Sequence, residues 1–146
     1  MNGFLVDTNV ISEFVKPQPD SRVIQWLDAV DSQLLFASVV TFGEIRLGIE
    51  DLPPGKRRSQ LERWVEHGLP DWFEENLLPV NKHIAFQWAR LTIQAKRKGV
   101  AVTTADGLIA ATAIAHDLTI VTRNVKDFAV LTVPILNPWE NADVQQ

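Results

Sequence analysis

Short apolar runs alternate with helix-patterned stretches along the whole chain, and no other feature restricts its fold as strongly. Phe4-Leu5-Val6 is a three-residue apolar run that delivers an acid, Asp7, at its end. Leu34 to Val40 (LLFASVV), Leu77 to Val80, Leu118 to Thr122 and Val133 to Leu136 are further candidate strands. Strands covered on both faces read as such unbroken hydrophobic runs, whereas half-exposed ones alternate. Between them lie helical patterns. Val10, Ile11, Phe14 and Val15 repeat at helical spacing until Pro17 and Pro19 forbid continuation. Asp20-Ser21 then caps a second stretch through Val23, Ile24, Trp26, Leu27 and Val30. Thr41-Phe42-Gly43-Glu44 opens a third, stopped by Pro53-Pro54-Gly55. Alternation of this kind predicts parallel pairing and an α/β fold, a three-layer α/β/α sandwich around a central parallel sheet.

The second half keeps the pattern. Lys56 to Asn76 carries Leu61, Trp64, Val65, Leu69, Trp72 and Phe73 as an apolar stripe, with Gly68 and Pro70 predicting a break or kink. Lys82 to Lys98 reads as a long helix with Lys96, Arg97 and Lys98 in its last turn and Gly99 as its C-cap. Thr103 to His116 is Ala-rich and apolar nearly all round, which suits a helix packed closely on a sheet. Asp127-Phe128 follows the strand at Leu118 to Thr122 in a turn or short helix. With 146 residues, 46% of them hydrophobic, the chain fits one domain over 1–140 and a polar, frayed tail over 141–146.

Composition narrows the chemistry. The chain has no Cys, and its three His lack zinc-type spacing, so a metal here is held by oxygen. No window approaches the roughly 20 apolar residues that span a bilayer, and the N-terminus lacks a basic region followed by a long apolar one. The expectation is a soluble, cytoplasmic protein without membrane contact. A net charge of −4 and a pI near 5.3 give no overall basic footprint. A nucleic-acid substrate would therefore be attracted by local charges or a metal.

Four carboxylates stand beside apolar segments: Asp7, Glu44, Asp106 and Asp127. Each has a structural explanation. Asp7 and Asp127 are placed to cap helices, while Thr41-x-x-Glu44 and Thr103-x-x-Asp106 fit or approach the capping box. Taken together they point elsewhere, because each lies where a strand-to-helix connection reaches the sheet's carboxyl end, the edge at which open α/β sheets bind ligands. Converging carboxylates repel one another unless a cation offsets them, and Mg²⁺ or Mn²⁺ suits oxygen ligands. Thr8, Asn9, Thr122 and Asn124 are polar companions able to hold such carboxylates in place. Arg46, Arg123 and Lys126 lie near the acids in sequence as candidate contacts to a ligand's phosphates or, equally, as surface charges and ion-pair partners of the acids.

The ordered set Val6-Asp7-Thr8-Asn9-Val10, Glu44 in TFGEIRLGI, Thr104 to Ala113 (TADGLIAATA), Val121 to Phe128 (VTRNVKDF) and Asn137-Pro138-Trp139 resembles the signature of PIN-domain proteins, most closely the VapC/FitB-type toxins of type II toxin–antitoxin modules. The resemblance covers nearly the whole chain. It implies a Mg²⁺-dependent endoribonuclease, with Mn²⁺ able to substitute, that cleaves RNA phosphodiesters by in-line attack of an activated water. Asp7 and Asp106 match the acids that most directly ligate metal. Glu44 matches the acid that binds metal or orients water, and Asp127 the fourth; some members place an acid where this chain has Asn124. A helical-hairpin insertion is implied at about 54–76, gripping an antitoxin or a second copy, with core as the alternative role for its apolar stripe. The implied partners are a cognate VapB/FitA-like antitoxin, an RNA substrate, a second copy in a homodimer and a larger toxin–antitoxin assembly that meets DNA only through the antitoxin. Two other readings compete. A catalytically silent PIN module acting as a binding partner does not need all four acids, and an Asp-phosphoacceptor domain needs a paired Asp at position 7 and a Lys after the strand ending at Thr122, which this chain lacks.

Overall fold

β1 (Phe4–Val6) runs through the middle of a five-stranded sheet in the order β3-β2-β1-β4-β5, with every neighbouring pair parallel. The other strands are β2 (Leu35–Ser38), β3 (Leu77–Leu78), β4 (Thr119–Val121) and β5 (Ile135–Leu136). The computed structural model describes residues 2–140, and the expected polar tail at 141–146 lies outside them. Since successive side chains of a strand point to opposite faces, β1 feeds two cores. Phe4 and Val6 pack with Val10, Trp26, Ile45 and Leu69 on one face, and Leu5 packs with Ile84, Leu91, Ile109 and Phe128 on the other. That is the expected three-layer sandwich. No described helix is long and apolar enough to cross a membrane.

The helices on the first face are α1 (Thr8–Phe14), α2 (Ser21–Ala29) and α3 (Val39–Glu50), followed by α4 (Lys56–Arg63) and α5 (Leu69–Phe73). On the second lie α6 (Lys82–Arg97), α7 (Thr104–Ala115) and the short α8 (Val125–Ala129). α6 stops as its sequence requires: Gly99 takes φ +79°, and Val100 N–H reaches back to the Ala95 carbonyl at 2.9 Å.

One expectation needs correction and one a finer description. The strand read over Leu34 to Val40 ends at Ser38, whose hydroxyl accepts from Val40 N–H at 3.0 Å and starts α3 two residues before Thr41. A cap of this kind is worth about 1 kcal/mol, enough to override the β preference of Val39-Val40. Thr41 is thus inside the helix, and Thr41-x-x-Glu44 is not a capping box. The second concerns Gly68 and Pro70, where the expected break or kink takes the form of a widened turn in a continuing helix. The backbone widens into a π-helical turn over Trp64–Gly68, with Leu69 N–H bonded to the Trp64 carbonyl. Pro70 follows in the first turn of α5, where a missing N–H and a fixed φ are tolerated. Of the apolar stripe here, Val65, Leu69 and Phe73 are buried, while Leu61, Trp64 and Trp72 are partly buried against them. The segment folds back on α3, across which Arg46 reaches Glu50, Glu62 and Glu66 and Arg58 reaches Glu50 and Glu62 at 3.3–3.9 Å.

Candidate active site

Asp7 leaves β1 at its carboxyl end, and its N–H continues the ladder to Val121 of β4 at 2.9 Å. It is the N-cap of α1 and only 3% exposed. Its two oxygens are used differently. Oδ1 accepts from Thr8 N–H at 2.8 Å, and Oδ2 from the Thr122 hydroxyl at 2.8 Å and Asn9 Nδ2 at 3.3 Å. The proton of Thr122 is forced into that bond, because Asn9 Nδ2 at 3.2 Å and Asn124 N–H at 3.0 Å both donate to the same oxygen. Asn9 Oδ1 in turn accepts from Arg123 N–H at 3.3 Å. Asn9, Thr122 and Asn124 therefore form one network that fixes the carboxylate plane of Asp7. Burial pushes the Asp7 carboxyl up from 3.8 to about 6, with the charges of Asp106 and Glu44 adding to it and the bonds from Thr122 and Thr8 opposing.

Glu44 comes from α3, and its Oε1 accepts from the Thr8 hydroxyl at 2.6 Å. Thr8, a polar companion of the carboxylates by its place in the sequence, thus ties both acids, one by its backbone and one by its side chain. Asp106 stands in the first turn of α7. The cap there is Thr103, whose hydroxyl accepts from Asp106 N–H at 3.1 Å, so capping uses the backbone of Asp106 and not its carboxylate. Partial burial raises the Asp106 carboxyl, the Thr103 hydroxyl pulls it down, and the negative charges of Asp127 and Glu44 raise it further. Asp127 lies exposed in the first turn of α8, its N–H bonded to the Asn124 carbonyl at 3.1 Å. Asp7, Glu44 and Asp106 are thus within reach of one another's charge, and Asp127 joins the group through Asp106.

None of the four carboxylates has a cationic partner among the described residues. Arg46 is engaged with Glu50, Glu62 and Glu66. Arg123 holds its guanidinium 5.3 Å above the Trp139 ring. Lys126 is exposed and without an ion pair among the described residues. No three His, Cys, Asp or Glu side chains among the described residues are grouped tightly enough to hold a metal ion as they stand. Asp7, Glu44 and Asp106 are at Coulombic range and short of ligating range. Their donor chemistry still fits a hard divalent ion: oxygen only, net negative, partly dehydrated and short of counter-charge.

Beside Thr8 and Glu44 a cavity of about 210 Å³ opens between α1, α3 and the π-helical turn, walled by Val15, Ile45, Ile49, Leu52, Leu61 and Trp64. A larger, acidic hollow bounded by Ser32, Gln33 and residues 71–76 lies at the amino-terminal edge of the sheet, opposite the acids. A family model of the PIN domain matches residues 4–132. The chain belongs to the PIN-domain family. Among PIN-domain relatives, Toxin FitB of Neisseria gonorrhoeae is 39% identical over 137 residues, 94% of this chain and 99% of that protein. VapC ribonuclease Y4jK of Sinorhizobium fredii is 38% identical over 138 residues, again 94% and 99% of the two chains. The crystal structure of FitAcB from Neisseria gonorrhoeae is similar to this PIN domain with a TM-score of 0.89 at 38% identity, covering 94% of this chain and 99% of that one.

Proposed function

We propose that this PIN domain is the toxin of a type II toxin–antitoxin module and an endoribonuclease that uses Mg²⁺, with Mn²⁺ able to substitute. The observation that carries the reading is a group of three mutually repelling carboxylates, Asp7, Glu44 and Asp106, with Asp127 beside Asp106 and no ion-pair partner for any of them among the described residues, gathered at the edge of the sheet where ligands bind. Asp7, Glu44 and Asp106 would hold the ion, with Asp127 at the outer end. A bound ion supplies positive charge against phosphate oxygens and activates water for in-line attack. The chain does the rest. Thr122, Asn9 and Thr8 hold the Asp7 carboxylate in one plane, so its geometry is set before any ligand arrives. Thr8 engages Oε1 of Glu44 and leaves Oε2 available to take a proton from the attacking water. Lys126 is the free cation closest in sequence to Asp127 and is placed for an RNA phosphate; Arg46 and Arg123 would have to leave their present partners to reach one.

The likeness to FitAcB, and to FitAB bound to an IR36 DNA fragment with a TM-score of 0.88 at 36% identity, supports a FitA-like antitoxin as partner and an assembly that reaches DNA through it. Half-covered Trp64 and Trp72 support a gripping role for Lys56 to Phe73, and Phe86 and Ile93, 56% and 44% exposed on α6, support a second copy as a further neighbour. Such a protein works in the cytoplasm. The purified chain is expected to cleave RNA in Mg²⁺ or Mn²⁺ and to stop when EDTA is added. Cleavage that persists in excess chelator, and is lost in an Asp7→Asn preparation purified in parallel, would overturn the metal reading.

A further inference from the structure

Gly107 is at odds with its surroundings. It sits inside α7 among Ala105, Ala110, Ala111 and Ala113, where propensity alone favours another alanine. Its φ is negative, so no special backbone conformation demands it. What demands it is Trp88 on α6. A Cβ added at Gly107 would stand 2.7 Å from Cδ1 and 3.0 Å from Nε1 of that indole, closer than real side chains tolerate, with Thr92 Oγ1 at 3.6 Å. By contrast, a Cβ at Gly43 or Gly48 in α3 would meet nothing within 4 Å. The indole N–H is buried against this turn and finds no acceptor, so the ring acts there through its shape.

The turn that rests on Trp88 is the one that carries Asp106. The Thr103 hydroxyl accepts from the Asp106 N–H, which ties the first turn of α7 to its cap. The acids Asp106 must meet sit on other elements: Glu44 on α3, Asp7 after β1 and Asp127 on α8. A displacement of α7 away from α6 by a few tenths of an ångström therefore moves Asp106 relative to all three. We infer that the contact between Trp88 and Gly107 sets the position of Asp106 in the acid cluster, making both positioning residues for cation binding. The inference rests on Asp106 belonging to the metal site proposed above.

Mn²⁺ alone is the probe, with free ion counted by electron paramagnetic resonance during titration of the full chain, alongside RNA cleavage kinetics. Gly107→Ala is expected to lose about tenfold in Mn²⁺ affinity, the lower range found for residues that orient metal ligands, and to lower kcat with KM unchanged. Combining Gly107→Ala with Trp88→Leu makes room for the added methyl and is expected to regain part of that affinity, up to the level of Trp88→Leu alone, which lacks the contact and binds more weakly than the parent. A folded Gly107→Ala that binds Mn²⁺ like the parent overturns the inference, as does a double variant that regains nothing. If Gly107→Ala does not fold, Trp88→Leu alone decides: weakened Mn²⁺ binding supports the inference and parental binding overturns it. Asp106→Asn separates the two levels, since parental Mn²⁺ affinity in that variant would instead remove Asp106 from the metal site.

Discussion

Asp7 serves two ends that conflict at neutral pH. It closes the start of α1 and it contributes a buried negative charge, and the second costs the fold stability. Its pKa is raised in the native state from 3.8 to about 6, so between those values the folded chain binds more protons than the unfolded one. Stability from this group is fully present below pH 3.8 and is lost as pH rises through 6. In EDTA the parent should gain about 2 kcal/mol of stability relative to Asp7→Asn on going from pH 7.5 to pH 4.5. Urea unfolding of both proteins at the two pH values measures it, and a parent that loses stability relative to the variant on acidification would contradict the shift. Asp106→Asn should melt at or above the parent in EDTA while losing Mn²⁺ binding and RNA cleavage. The backbone N–H of residue 106 still donates to the Thr103 hydroxyl in this variant, and the amide oxygen of Asn can still accept from that hydroxyl. A destabilised and fully active Asp106→Asn would show that the site is misassigned. The acids are legible in sequence because each stands beside an apolar run. The bond from Thr8 to Glu44 spans 36 positions, and no local pattern carries it.

At the scale of elements, α3 shows where reading from propensity fails. Val39-Val40 extends a run of β-formers, and only the placement of the Ser38 hydroxyl ends the strand early. Ser38→Ala should destabilise the protein by about 0.5–2 kcal/mol. Thr41→Val, which keeps the shape and removes a buried hydroxyl that has no partner, should be neutral or stabilising. Chemical unfolding of both variants tests the assignment, and the reverse order of effects would return the cap to Thr41. Pro70 was a sound warning of irregularity from Lys56 to Asn76, yet the form it takes, a widened turn in a continuing helix, depends on Val65, Leu69 and Phe73 all reaching the same core. The break after α6 is fully local, since Gly99 and the cations before it need no tertiary context.

For the whole molecule, the alternation of apolar runs with helical patterns was enough to place all five strands, because each parallel crossover needs a helix between strands and the chain offers few other ways to connect them. Parallel pairing gives every strand the same direction, and this gathers acids from four distant parts of the chain at one edge. The sheet order is not written in any segment and follows only from which faces pack. Its outermost strands, β3 and β5, are two residues long, with Pro79 directly after one and Pro134 directly before the other. Prolines offer no N–H to a neighbour, and brief edges give little template for strand addition. Backbone pairing with another chain is thereby confined to a couple of residues on either flank, so growth into β-linked aggregates is discouraged and recognition of other chains falls to side chains displayed on the helices.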